Sequence, residues 1–255
     1  MRVFFRQTGK RGDYEIDAAV YDNGHGMSSA VLKVASAFGG SMSFNNRSGI
    51  GRFGMGMKTA ALSLSPVLEV YSWQERAGIY NMTIDVDAIG KERGNLIELP
   101  DPTLLTELPD EVADLFVKPM VYPSDRQEQD IAASTRDELL DRLGATGTIV
   151  YMPNCDRLTY AKAKTLVDDA VKEMARVYRR AIAKGLRLFV NNRLVEAFDP
   201  TYSMPNARHT RVLDVPVKHS CLIVSKLVPI KTSEYGTETD TTTVKLYKLP
   251  IEEWT

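Results

Sequence analysis

Cysteine is nearly absent: Cys155 and Cys221 are the only two in 255 residues. Two thiols build neither a disulfide scaffold nor a metal cluster, and their scarcity points to a reducing compartment. Histidine is as scarce, at His25, His209 and His219. No His/Cys set has metal-ligand spacing, and no Ser-His-Asp arrangement can be argued. Long apolar runs are missing too. Nothing approaches the roughly 20 residues that span a bilayer, and the opening MRVFFRQTGKRGD lacks the apolar core of a signal peptide. These absences predict a cytoplasmic chain with no membrane partner. Net charge is only −1, so no global attraction to nucleic acid follows.

What is present is ordinary in bulk. Hydrophobic residues make up 44% and charged residues 25%, as in a globular protein able to bury one large core or two small ones. The unusual stretch is Val20 to Leu64. It holds two glycine clusters, Asp22-Asn23-Gly24-His25-Gly26-Met27 and Gly49-Ile50-Gly51-Arg52-Phe53-Gly54-Met55-Gly56-Met57-Lys58. Both are too glycine-dense for the interior of a helix or strand. Asp22 ends the apolar run Ala18-Ala19-Val20-Tyr21, so the first cluster reads as a strand end turning into a helix capped by Ser28 or Ser29. An aspartate there offers acceptors to an exocyclic amine, and alternate glycines let backbone approach a ligand. The second cluster opens an apolar helix, Thr59 to Leu64. Its amides suit an anion, and Lys58 adds a point charge for phosphate. Met27, Met55 and Met57 read as apolar walls for a flat base, or as core.

Letter matches alone mislead here. Gly49-x-Gly51-x-x-Gly54 fits the dinucleotide fingerprint, but Ser41 to Ser48 is polar and supplies no preceding strand. A P-loop fails on spacing. Two ordinary turns remain the plain alternative.

Together and in this order, the clusters resemble the Bergerat-fold ATPases, the superfamily of gyrase B, heat-shock chaperones, histidine kinases and MutL, nearest in look to MORC-like and chaperone-like members. The resemblance covers roughly Asp13 to Pro200. It implies that Asp22 of Asp-x-Gly-x-Gly holds adenine, with Gly24, Gly26 and Met27 lining the base. It implies that Gly51, Gly54, Gly56 and Lys58 hold the phosphates of ATP under a closing lid at 39–51. Gly147-Thr148 matches a third motif and puts Thr148 behind the base. The implied fold is α+β, a two-layer sandwich with helices on one face of a mixed, mainly antiparallel sheet, followed by the start of a second small α/β domain. The implied function is ATP binding that drives lid closure or homodimerisation, in DNA-related or chaperone-like work.

One departure bears on catalysis. The family carries a Glu and a magnesium-binding Asn on a helix before the aspartate motif. This chain has no asparagine before Asn23, and Glu15 is the only glutamate in the first 20 residues. Glu15 sits in an alternating, strand-like run, so the catalytic role is not carried over to it. Either the first helix is missing from this chain or hydrolysis has been lost. The chain is an ATPase, with Mg2+, only if those groups come from elsewhere.

The rest of the chain is read in order. Arg2 to Gln7 and Asp13 to Tyr21 form a hairpin. Val67 to Ser72, Gly78 to Val86 and Asn95 to Leu99 are strands. Residues 85–141 hold 15 acidic and 5 basic residues, a solvated surface or a partner face, with a helix at Asp137 to Leu143. Thr148 to Met152 is a strand. The longest helix runs from Thr159 or Tyr160 to Lys184, with Gly185 ending it and an apolar stripe from Leu166 to Ile182. A strand at Leu186 to Val190, a turn at Asn191-Asn192, and Asp199-Pro200 resemble the end of the family domain. The predicted domains are 1–200 and 201–255, the second built of strands at 211–217, 220–229 and 241–249. Lys226 and Lys231 are candidates, by position only, for a phosphate-sensing lysine. The second competing reading is a nucleotide-independent scaffold that touches DNA or a protein partner through the basic helix face of Lys172, Arg176, Arg179 and Arg180.

Overall fold

β1 (Arg2–Lys10) and β2 (Asp13–Asp22) pair as an antiparallel hairpin, Arg2 opposite Tyr21 and Gln7 opposite Ile16. This is a computed structural model, and it describes residues 1–10, 13–40, 53–75, 78–91, 99–117, 136–200, 204, 207, 222–231 and 239–247. After β2 come α1 (Ser29–Ser36), α2 (Gly56–Leu62), β3 (Val67–Trp73), β4 (Ile79–Asp85), α3 (Val86–Lys91), β5 (Thr103–Leu105), α4 (Asp110–Val117), α5 (Arg136–Leu143) and β6 (Gly147–Met152). Then follow α6 (Ala163–Val177), α7 (Arg179–Ala183), β7 (Phe189–Val190), β8 (Arg193–Leu194), β9 (Leu222–Lys231) and β10 (Thr239–Tyr247).

Among the described residues the main sheet runs β5-β4-β3-β6-β2-β1-β7-β8 and is open, with β5 and β8 at its edges. Every pairing in it is antiparallel except β1 with β7, so the fold is α+β with a mixed sheet. The period-2 alternation of each strand sorts residues to two faces. On one face Ala18, Val70 and Met152 pack against Leu32 of α1 and Ala61 of α2. On the other, Phe4, Tyr21 and Ile149 pack against Val112 and Phe116 of α4 and Leu139 of α5. Phe116 meets the rings of Phe4 and Tyr21 edge-on at 4.8 and 5.7 Å. The expected single helical layer is α1 with α2, and α4 with α5 adds a layer beyond it. The sequence hid α4 because Asp110, Glu111 and Asp114 read as solvated charge, while Val112, Ala113, Leu115 and Phe116 between them are buried. Asp110 and Glu111 in its first turn also suit the helix dipole.

Other expectations shift in detail. Ser28 caps α1, its hydroxyl accepting from the Val31 amide. The long helix is shorter than predicted and divides at Tyr178, between α6 and α7. Its end is as expected: Gly185 takes φ +105, and the Leu186 amide returns to the Ala181 carbonyl, the six-residue closure that glycine permits. The strand expected at 95–99 lies mostly outside the described residues, and the strand pairing with β4 is β5. The strand expected at 211–217 lies outside the described residues, as do residues 41–51 of the lid expected at 39–51.

Chain contacts divide the molecule into two units, Met1–Val171 with Arg187–Leu194, and Lys172–Leu186 with Val195–Thr255. The first holds the whole eight-stranded sheet. The second contains α7 and the antiparallel pair β9–β10. In the first unit, Asn191 and Asn192 turn β7 into β8 with φ +44 and +64, the left-handed pair that asparagine tolerates. The Asn191 side chain accepts from the Phe5 amide at 2.8 Å and donates to the Phe5 carbonyl at 2.9 Å. It thereby extends the β1–β7 pairing by one step.

The face under α4 also holds a polar group. Asp17 is buried and takes Nε and an amino group of Arg6, the Tyr151 hydroxyl and the Asn154 amide. Two strands away Glu69 accepts from the Tyr71 hydroxyl. Burial, more than this bond offsets, lifts the Glu69 carboxyl above its ordinary range. The folded state then binds this proton more tightly than the unfolded chain does. Stability from this group is therefore present in acid and lost as pH rises from the ordinary carboxylate value through the lifted one. Glu69→Gln should flatten that fall, measured as urea midpoints between pH 4 and 8. A slope unchanged from wild type would remove Glu69 as its source.

Candidate functional site

The site begins where three strands place polar groups side by side. Asp22 of β2 faces Thr148 of β6, and Thr148 faces Ser72 of β3. All three lie on the α1–α2 face by alternation. Asp22 Oδ1 accepts the Gly24 amide at 2.8 Å, which curls the chain immediately after the strand. The other carboxylate oxygen is left on a partly exposed side chain.

The loop that follows is pegged at three points. The Met27 amide donates to Ser72 Oγ at 2.8 Å, Thr146 Oγ1 donates to the Gly24 carbonyl at 2.7 Å, and Gln74 Nε2 donates to the His25 carbonyl at 3.1 Å. Gly26 has φ +65, and a Cβ there would stand 1.9 Å from the Trp73 carbonyl oxygen. Only glycine fits. Gly147 is similarly constrained, because a Cβ would meet Trp73 Cζ2 at 2.6 Å. The glycines thus let the loop lie against the ends of β3 and β6, and hold Asp22 and Thr148 next to each other. Met27 and Met57 pack on the apolar cluster of this face, whereas Met55 is exposed. The His25 side chain is exposed.

The second glycine cluster is described from Phe53 onward, so Gly51 lies outside the described residues. Gly54 takes φ +60 and Gly56 opens the two-turn α2. Lys58 is buried, and its ammonium donates to the Ala35 carbonyl in the last turn of α1. Burial pulls its pKa below that of an ordinary lysine. In this arrangement Lys58 ties α2 to α1, and it reaches a phosphate only by leaving that carbonyl. Sequence could not show this, since the partner is a backbone oxygen 23 residues away.

Three residues of the site went unread in the sequence: Ser72, Gln74 and Thr146. Ser72 is one polar residue in Val-Tyr-Ser-Trp, and only the strand register shows that it shares a row with Thr148. Glu15 is exposed on β2. At about 3.3 Å per residue it stands roughly 23 Å along the strand from Asp22, so it serves no chemistry there. Among the described residues no three His, Cys, Asp or Glu side chains cluster to hold a metal. Burial pushes the Cys155 thiol up to about 11, which makes it a poor nucleophile. Among the described residues no helix is long and apolar enough to cross a membrane.

The basic helix face is partly matched. Arg176 pairs with Glu173 at 2.7 Å and Arg179 with Asp199 at 3.7 Å. Lys172, Arg180 and Lys184 stay exposed. The free positive charge is smaller than the run of letters implies.

Residues 8–114 match the family model described as Histidine kinase-, DNA gyrase B-, and HSP90-like ATPase. No curated protein matches the chain.

Proposed function

We propose, from the match of residues 8–114 to the histidine kinase-, DNA gyrase B- and HSP90-like ATPases, that this chain binds ATP on the α1–α2 face. In this reading Asp22 accepts from the adenine amine, with Thr148 beside it. Gly24, Gly26 and Met27 line the base. Gly51, Gly54, Gly56 and Lys58 attend the phosphates, Lys58 after releasing Ala35. Residues 1–200 form the ATP-binding domain and 201–255 begin a second one. Nucleotide binding is coupled to lid closure or to pairing of two copies.

One observation carries the base assignment. Two acceptor-bearing side chains on neighbouring strands, Asp22 and Thr148, stand behind a loop that has no room for a side chain at residue 26. The donor set does not fit Mg2+: the expected asparagine does not precede Asp22, and the described residues offer no acidic cluster. Hydrolysis is therefore not assigned to these residues.

The test is calorimetric titration with a non-hydrolysable ATP analogue, with and without magnesium. Binding that changes little with magnesium is expected. Absence of binding in both conditions would leave the scaffold reading, with its basic helix, in the lead.

A further inference from the structure

Ser72 is fully buried, and its hydroxyl sits among three polar atoms: the Met27 amide nitrogen at 2.8 Å, the Gly147 carbonyl oxygen at 3.1 Å and Thr148 Oγ1 at 2.9 Å. A serine hydroxyl has one proton and two lone pairs. The Met27 amide can only donate, so it takes one lone pair. The Gly147 carbonyl can only accept, so it takes the proton. The remaining contact then runs from the Thr148 hydroxyl proton to the second lone pair of Ser72. This is the one arrangement that uses all three contacts. It turns the Thr148 proton inward and leaves the threonine oxygen with lone pairs only toward a ligand beside Asp22.

We propose that Ser72 is a positioning residue that sets the nucleobase preference of the site by holding Thr148 as a hydrogen-bond acceptor. The inference rests on the nucleotide reading above. Asp22 and Thr148 are directly opposed across β2 and β6, within about 5.5 Å at their Cβ atoms. With both as acceptors, they match a base edge bearing an amino group, which has two protons to give. A base with a carbonyl at that position sets lone pairs against lone pairs, and a site so built rejects it strongly. If Ser72 is removed, the Thr148 hydroxyl is free to rotate and donate, and the carbonyl-bearing base is no longer refused. The Met27 amide also loses its acceptor, so the loop after Asp22 loosens.

The test compares ADP with inosine diphosphate, which differs in carrying a carbonyl in place of the adenine amine. Calorimetry on wild type, Ser72→Ala, Ser72→Thr and Thr148→Val gives four affinity ratios. Wild type is expected to prefer ADP. Ser72→Ala should narrow that preference about tenfold, the scale of one oriented hydrogen bond, chiefly by gaining affinity for the inosine nucleotide. Ser72→Thr keeps the hydroxyl and should restore it. Thr148→Val deletes the acceptor itself and should narrow the preference similarly, so the outcome does not hang on one variant folding. Hydrogen exchange at the Met27 amide, without nucleotide, should quicken in Ser72→Ala and not in Ser72→Thr. A ratio unchanged in both Ser72→Ala and Thr148→Val overturns the proposal and leaves Ser72 a structural peg. A wild type that binds neither diphosphate instead sinks the ATP reading itself.

Discussion

Asp22→Ala should weaken binding of a non-hydrolysable ATP analogue by about 10- to 150-fold, the effect of losing about 1.5–3 kcal/mol in a hydrogen bond to a charged group. The estimate rests on where the carboxylate stands. One oxygen is committed to the Gly24 amide, and the other is offered on the face shared with Thr148. The fold should barely notice the change. Asp22 is partly exposed, and its bond to Gly24 is worth about 1 kcal/mol. Binding and stability therefore separate: calorimetry should show a large loss while the unfolding midpoint stays close to wild type. Asp22→Asn should lose at least as much, because its amide keeps one acceptor for Gly24 and turns a donor toward the donating amine of the ligand. An affinity within threefold of wild type in Asp22→Ala would remove the adenine role from this residue.

Asp17→Ala should have the largest effect on stability, about 3–5 kcal/mol, the usual loss when one partner of a buried ion pair is deleted. Asp17 is 4% exposed. Its removal strips Arg6, the Tyr151 hydroxyl and the Asn154 amide of their shared acceptor at once. Arg6 still donates to the Glu111 carbonyl at 2.7 Å, so its charge stays anchored at the sheet without a counter-ion. For a domain near this size each kcal/mol moves the melting midpoint by about 2–4 °C, which makes a fall of roughly 6–20 °C in calorimetric scans. Replacing Arg6 and Asp17 together by leucine should recover part of the loss, since no uncompensated charge is then left. A loss under about 1 kcal/mol in Asp17→Ala would mean that water already screens the pair.

The residues that the sequence revealed are those whose role is written in the local chain. Glycines at 24 and 26 after an apolar run announce a loop that must lie close to something, and Gly26 does lie against the Trp73 carbonyl. The strands β2, β3 and β6 were also legible in the chain, whereas the mixed sheet was implied by the resemblance and by the number of strands. The residues that stayed hidden are defined by neighbours distant in sequence. Ser72 means little until β6 lies beside β3. The Lys58 ammonium reads as a phosphate ligand, and nothing in the local chain shows that the Ala35 carbonyl holds it. The helix α4 was masked by its own surface charges, because composition averages over both faces while burial selects only one. The break at Tyr178 left no mark in the apolar spacing, since the stripe continues through it.

The Asn191 clasp on Phe5 has a consequence for how the chain is made. β1 is pinned on one side by its hairpin partner a few residues away, and on the other by a segment separated by 186 positions. During synthesis β1 and β2 emerge close together, but the outer margin of β1 stays open until a segment 186 residues further on has left the ribosome. Closing so long a loop is slow relative to making a hairpin, and an open strand margin is a template for unwanted pairing. The last turn of this sheet, Asn191-Asn192, is therefore also its lock: the nascent first strand stays sticky until that turn arrives.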